Sequence, residues 1–293
     1  MTDYGVLFTE LAVPRLVGTP NHSKVREALI RELEARGFTV EAHRFIGRPA
    51  RALFGVPAVI EGTNLIAHRP SGRPTERPSV WLVAHYDSKG QPISMWVRLA
   101  GFTLVALGVL LLLLSWIAAV VTLGMGLAIV SQNRVNDNSP GALDNASAVI
   151  TVLMTIDQVP RDAAVGIVFP DAEEFGLAGA RALVAERAAL FKDSAIINLD
   201  GIDDIGGITA FAHRPGPIGD AVTRELEASR WRWLPVVVDG IALARVARDC
   251  VTILKGNIKS MEAVHTPHDT TARLRLDGAA QVAAGLARVL RDR

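Results

Sequence analysis

The chain has 293 residues, enough for one large α/β domain or two small ones. Its 31 Lys and Arg residues nearly balance its 30 Asp and Glu residues, which argues against a nucleic-acid-binding protein that relies on bulk positive charge. The single cysteine, Cys250, excludes an intramolecular disulfide and a cysteine-based zinc cluster. Any bound metal must therefore be held by histidine and carboxylate side chains.

In chain order, the sequence predicts alternating helices and strands within a single catalytic domain, residues 1–293. Apolar residues at helical spacing predict an amphipathic helix over residues 23–38, and short apolar runs at 59–67 and 79–84 are typical of strands. Further helices are predicted at 146–156, 177–190, 218–228 and 277–290, and further strands at 163–169, 194–199, 234–238 and 251–254. This alternation indicates an α/β sandwich with a mostly parallel central sheet.

Five short segments hold nearly all of the polar residues that could carry chemistry. Their candidate metal ligands are His85, Asp144, Glu174, Asp200 and His265. Most of these segments follow a predicted strand or precede a helix, at the edge of an α/β sheet where sites are assembled. Two zinc ions about 3.5–4 Å apart need about five ligands, one of them a bridging carboxylate. Histidine and carboxylate also suit zinc. The sequence therefore predicts metal-assisted hydrolysis.

Two more side chains are predicted to take part in catalysis. Residues i and i+2 of an extended segment share a face, so Asp87 can accept a hydrogen bond from the ring N–H of His85 and fix its tautomer. Adjacent carboxylates point in different directions. Glu174 can therefore ligate a metal while Glu173 takes a proton from the attacking water and later returns it.

Each of these features has an ordinary explanation when it is taken alone. A glutamate pair after a strand is usually a helix N-terminus, and Asp144 could be only an N-cap. Asp200 is harder to explain in this way, because burying an unpaired carboxylate costs free energy. The occurrence of all these features in one chain favours a metal site. In the segment VHTPHDT we assign His265 as the ligand, His268 to an outer or structural role, and Asp269 to capping a loop.

The segments HYDS, PGALDNAS, DAEEFGLAGAR, NLDG and VHTPHDT, in this order, resemble those of the M28 family of metallopeptidases, zinc aminopeptidases among them. The resemblance implies a phosphorylase/hydrolase-like three-layer α/β/α sandwich. It also implies removal of N-terminal residues from a peptide, or hydrolysis of a small acylated amino acid. The implied site has two zinc ions bridged by Asp144, one held by His85 and Asp200 and the other by Glu174 and His265, with Glu173 as general base.

Two other functions stay open at this point. Glutaminyl cyclases share an HYDSK-like segment, here residues 85–89, but use a single zinc ion. The chain could also be a non-catalytic, membrane-anchored binding module on a peptidase fold, although the intact ligand set argues against this. Some family members use a tyrosine to stabilise the oxyanion. Here the two tyrosines, Tyr4 and Tyr86, have no suitable position in the sequence.

An apolar insert, residues 95–132, separates the first two predicted ligands. From Leu99 to Val130 about 32 residues pass without a charged residue, which exceeds the length of about 18 expected for a membrane span. Because His85 and Asp144 must meet, a single crossing is excluded. We therefore predict a transmembrane or re-entrant helical hairpin that contacts membrane lipid through residues 97–130.

The basic residues Lys89, Arg98 and Arg134 flank this insert. The positive-inside rule then predicts a membrane protein whose catalytic domain faces the cytoplasm. The alternative is a hydrophobic hairpin buried in a homo-oligomer interface, because so large an apolar surface needs a partner.

Overall fold

The computed structural model describes residues 2–50, 56–69, 77–231 and 237–291, so the predicted strand at 234–238 lies mostly outside the described residues. The strands are β1 Thr39–Gly47, β2 Ile60–His68, β3 Val80–Val83, β4 Val165–Phe169, β5 Ala195–Ile202, β6 Gly207–Arg214, β7 Ser229–Trp231 and β8 Asp249–Gly256. The helices are α1 Tyr4–Leu11, α2 Pro20–Ala35, α3 Met95–Leu111, α4 Trp116–Val130, α5 Ser147–Gln158, α6 Ala178–Glu186, α7 Ala188–Phe191, α8 Pro217–Glu225, α9 Asp239–Leu243, α10 Ile258–Ala263 and α11 Asp277–Leu290.

The strands form one eight-stranded sheet in the order β1-β2-β4-β3-β5-β8-β6-β7. The four central strands, β4, β3, β5 and β8, run parallel, while β1, β2 and β6 join the sheet through antiparallel pairs. The sheet is therefore mixed. Because the central strands are parallel, their carboxyl ends lie at one edge, and the loops that leave this edge can meet.

Helices cover both faces of the sheet, and the sequence of β3 explains how. Successive side chains of a strand point to opposite faces. Val80 and Leu82 belong to the apolar cluster that includes residues of α1, α2, α5, α8 and α11. Trp81 and Val83 belong to the cluster that includes residues of α6, α7 and α9. All four side chains are buried, so the unbroken apolar run of this strand reflects a strand covered on both sides.

The structure corrects the prediction of a transmembrane or re-entrant hairpin. The insert forms a pair of packed helices, but α3 has 17 residues and α4 has 15, about 25 and 22 Å in length. Both are shorter than the hydrocarbon core of about 30 Å. The long apolar run is broken by a turn at residues 112–115, where Ser115 caps α4. In the part of the chain that the structure describes, no helix combines the length and the apolar character needed to cross a membrane.

The prediction of a membrane protein with a cytoplasmic catalytic domain is wrong for the same reason. Its orientation argument also rested on basic residues that have other contacts. Lys89 is buried and forms an ion pair with Glu174, and Arg98 contacts His265. These two side chains belong to the polar site at the edge of the sheet, so their position in the sequence is not a signal of membrane topology.

Candidate metal centre

His85 and Asp87 follow β3 and emerge at the carboxyl edge of the sheet. His85 is 2% exposed, and its Nε2 lies 3.2 Å from Oδ1 of Asp144. Its Nδ1 lies 3.4 Å from Oδ1 of Asp87, without hydrogen-bond geometry. The Asp87 carboxylate accepts the backbone N–H groups of Glu173 at 3.1 Å and Glu174 at 3.3 Å. Asp87 therefore connects the end of β3 to the turn that carries both glutamates.

Asp144 lies between two histidines in the turn that precedes α5. Its Oδ1 faces His85, and its Oδ2 lies 3.0 Å from Nε2 of His265. The carboxylate of Asp269 accepts the backbone N–H groups of Leu143 at 2.7 Å and of Asp144 at 3.1 Å. These two bonds fix the backbone at Asp144, so that its side chain can contact both histidines.

Glu173 and Glu174 form a single helical turn after β4, and both are buried. The residues on either side, Ala172 and Gly176, adopt positive φ angles of 54° and 84°. A left-handed conformation is unfavourable for a non-glycine residue such as Ala172, and strain of this kind concentrates at functional sites. The tight turn brings the two carboxylates to the carboxyl edge of β4.

Glu174 forms two ion pairs in the interior. Its Oε1 lies 2.9 Å from Nε2 of His265, and its Oε2 lies 2.8 Å from Nζ of Lys89, which is 2% exposed. Burial alone would raise the pKa of Glu174, but His265 and Lys89 outweigh burial and hold that pKa well below its usual range. An ionised carboxylate is the form that binds a metal ion.

Asp200 lies in β5 where the strand becomes irregular. The register with β8 shifts between Leu199 and Ile202, and Gly201 has a φ of 67°. Such bulges redirect side chains next to functional sites. Burial raises the pKa of Asp200 well above its usual range, and the nearby Asp144 and Asp239 raise it further. A divalent cation would relieve the repulsion among these carboxylates.

His265 follows α10 and adopts a φ of 64°, an uncommon conformation for a non-glycine residue. Its carbonyl oxygen accepts the backbone N–H of Gln91 at 2.8 Å, and its Nδ1 lies 3.2 Å from Nη2 of Arg98. His268 is exposed and belongs to neither group of candidate ligands. Asp269 is buried and binds backbone N–H groups, in line with the loop-capping role that the sequence suggested.

The five candidate ligands form two groups that share one residue. The first group contains His85, Asp144 and Asp200, and the second contains Asp144, Glu174 and His265. Within each group the potential ligand atoms lie within 4.8 Å of one another. A shared carboxylate between two three-residue groups of histidine and carboxylate suits a pair of zinc ions.

A cavity of about 640 Å³ lies over these groups. Glu173 lines it together with Asp144, Glu174, Asp200 and His265. Apolar side chains that line the cavity include Met95, Leu143, Phe211, Trp231, Leu254 and Met261. Concave apolar walls around a few polar groups are typical of small-molecule sites.

Three basic residues of this region were not predicted to contribute to the site. Lys89 pairs with Glu174, and Arg98 of the insert lines the cavity. Arg15 is 1% exposed and donates hydrogen bonds to the carbonyl oxygens of Tyr86 at 2.6 Å and Gly141 at 3.0 Å. Arg15 thus joins the two ends of the segment between His85 and Asp144. The lysine in HYDSK was visible in the sequence, but neither arginine lies in a recognisable motif.

The family model described as peptidase family M28 matches residues 64–290, most of the chain. A search of curated proteins finds no match.

Solved structures with a similar fold include aminopeptidases and glutaminyl cyclases. An aminopeptidase from Aneurinibacillus sp. strain AM-1 is 12% identical, with a TM-score of 0.65, covering 98% of this chain and 92% of that one. BSAP, a zinc aminopeptidase from Bacillus subtilis, is 12% identical, with a TM-score of 0.63 and coverage of 97% and 93%. A glutaminyl cyclase from Porphyromonas gingivalis is 18% identical, with a TM-score of 0.66 and coverage of 99% and 96%. At sequence identities this low, the similarity establishes that this chain shares the fold of these proteins.

Proposed function

Because the chain belongs to peptidase family M28, we propose that it is an aminopeptidase that removes N-terminal residues from peptides at a site for two zinc ions. The observation that carries this proposal is the position of Asp144 in both ligand groups. The similarity to aminopeptidase structures, one of them a zinc enzyme, supports it. A small acylated amino acid is the alternative substrate.

Under this proposal each zinc ion has three protein ligands, with Asp144 common to both. When bound, zinc supplies a Lewis acid that polarises the scissile carbonyl and makes water a better nucleophile near neutral pH. Three side chains of the protein hold the ligands in place. Asp87 fixes the turn that carries both glutamates, and Asp269 fixes the backbone next to Asp144. Lys89 fixes the carboxylate of Glu174.

Glu173 is the proposed general base. It lines the cavity, it is 3% exposed, and it lies beside Glu174 without belonging to either ligand group. Its carboxylate takes a proton from the attacking water and returns it to the departing amine, so one side chain serves both steps. The two tyrosines have other contacts and are not proposed to stabilise the oxyanion. The Tyr86 hydroxyl lies within hydrogen-bond distance of the Thr63 carbonyl oxygen and of Asp171, and the Tyr4 hydroxyl donates to Asp157.

The test uses the full chain reconstituted with zinc and assayed on aminoacyl anilides and their N-acylated counterparts. We expect cleavage only when the amine is free, and we expect Glu173→Gln to lower kcat by about 10²–10⁴-fold while zinc binding persists. Glu262→Gln, an exposed change on α10, is the control and should leave kcat unchanged. Full activity of a zinc-loaded Glu173→Gln protein would refute the role of the base.

A glutaminyl cyclase-like acyl transfer with one zinc ion is the second candidate. The ion pair between Lys89 and Glu174 favours it, because this lysine completes the HYDSK segment and one Glu174 oxygen faces its ammonium at 2.8 Å. A content of one zinc ion per chain, together with release of ammonia from peptides that begin with glutamine, would establish the cyclase function. Two zinc ions, with release of free amino acids, would support the aminopeptidase. A fully metal-loaded chain that does neither would be a non-catalytic binding module.

A further inference from the structure

The first turns of α3 connect the insert to the cavity. Met95 and Arg98 both line the cavity, and Nη2 of Arg98 lies 3.2 Å from Nδ1 of His265. The opposite nitrogen of the same imidazole, Nε2, faces Asp144 and Glu174. The insert therefore places a guanidinium one imidazole ring away from the candidate metal ligands.

Gln91 holds this guanidinium in position. Its Oε1 accepts a hydrogen bond from Nη1 of Arg98, and its Nε2 donates to Oδ1 of Asn133, at the other end of the insert. Its backbone N–H donates to the carbonyl oxygen of His265. Gln91 is 1% exposed, so the arginine is anchored to buried structure. A positively charged group that is already oriented binds an anion with a smaller loss of conformational entropy.

The cavity has a second basic residue, and its contacts differ. Among the described residues that line the cavity, Arg98 is the arginine and Lys255 is the lysine. Nζ of Lys255 donates to the carbonyl oxygens of Asp204 at 2.8 Å and Gly206 at 3.3 Å, which directs its ammonium to a loop. Arg98 instead contacts a candidate ligand. An anionic group on a substrate would therefore meet Arg98 close to the reacting atoms.

One class of substrate places a carboxylate within a few bonds of the scissile carbonyl. In a dipeptide three bonds separate the scissile carbonyl carbon from the terminal carboxyl carbon, a span of less than about 4 Å. In a longer peptide an uncharged amide occupies that position. A guanidinium carries five N–H donors in a planar fork, which lets it bind protein groups and a carboxylate together.

Resting on the aminopeptidase function proposed above, we propose that the chain prefers dipeptides with a free C-terminal carboxylate, and that Arg98 of the insert binds this carboxylate. Arg98 is thus a specificity-determining residue, and the insert sets the length of the preferred substrate.

The experiment compares kcat/KM of the zinc-loaded full chain for a dipeptide, the same dipeptide with an amidated C-terminus, and the corresponding tripeptide. For the wild type we expect the free dipeptide to be favoured over the amide by about tenfold or more, the size of one charge-assisted interaction. Arg98→Gln should bring this ratio close to one by lowering only the rate on the free acid. Arg98→Lys should give an intermediate ratio.

Arg134→Gln is the matched control, because it removes an exposed arginine at the other end of the insert. Its ratio should equal that of the wild type. Equal rates of the wild type on acid and amide, or an equal loss on both in Arg98→Gln, would overturn the role of Arg98. In those cases the aminopeptidase function would stand if aminoacyl anilides are still cleaved. Failure to cleave the anilides as well would overturn the proposed function itself.

Discussion

At the scale of single residues, the candidate metal centre depends most on Asp144. Its two carboxylate oxygens face different histidines, His85 and His265, at 3.2 and 3.0 Å. Asp200 belongs to one of the two groups, the one with His85. The two aspartates therefore differ in how many metal ions each would hold.

This difference predicts unequal effects of removing the two charges. Asparagine has nearly the shape of aspartate but is neutral and a poorer zinc ligand, so Asp200→Asn should lose about one zinc ion per chain. Asp144→Asn should weaken both sites and lose most of the zinc. Metal content after gel filtration measures this result, and thermal unfolding of each variant checks that the fold is retained. Equal zinc content in the two variants would contradict a shared carboxylate.

At the scale of secondary-structure elements, close packing of α3 against α4 depends on glycine. A Cβ atom on Gly126 would lie 2.7 Å from the backbone nitrogen of Val105, and one on Gly101 would lie 2.6 Å from the side chain of Ile129. Gly124, two residues from Gly126, has no atom within 4 Å of such a Cβ. The hairpin thus contains one glycine at a helix contact and another, close in sequence, that faces outward.

Alanine substitutions at these two glycines should have opposite effects. Gly126→Ala forces a shift of the α3 backbone and should destabilise the hairpin by about 1–3 kcal/mol. Gly124→Ala should stabilise α4 by about 0.5–1 kcal/mol, because alanine loses less conformational entropy in a helix. Hydrogen exchange of the backbone amides in α3 and α4 reports the change. Similar exchange rates in the two variants would show that the helices do not pack in this way.

At the scale of the whole molecule, the sequence predicted what depends on continuous patterns. The strands β3 and β4 were found because strands buried in the sheet read as unbroken apolar runs, and β2, β5 and β8 because apolar residues make up most of the predicted segments. β1 and β7 were missed because most of their residues are exposed and polar residues interrupt them. Most of the candidate ligands were found because their segments follow a predicted strand or precede a predicted helix, although their roles remain predictions.

What the sequence could not predict depends on tertiary contacts. The contacts of Arg15 and Arg98 join segments that are far apart in the chain, and no local pattern marks them. The membrane prediction failed because hydropathy gives the length of an apolar run but not where a helix ends within it. The turn at residues 112–115 divides that run. The insert nevertheless presents exposed apolar side chains, among them Leu113 and Leu114, which are more than 80% exposed.

This apolar surface leads to a prediction for the molecule as a whole. Val105 packs directly against Gly126, so a Gly-Ser linker of about four residues can replace residues 106–125 without moving the base of the hairpin. The shortened chain keeps Met95 and Arg98, and its activity and zinc content should stay within about twofold of the wild type. Its self-association, measured by sedimentation velocity, should fall because a large exposed apolar patch promotes association. Unchanged association would mean that the outer half of the hairpin is not the associating surface. Loss of zinc would mean that the hairpin supports the metal centre beyond its first turns.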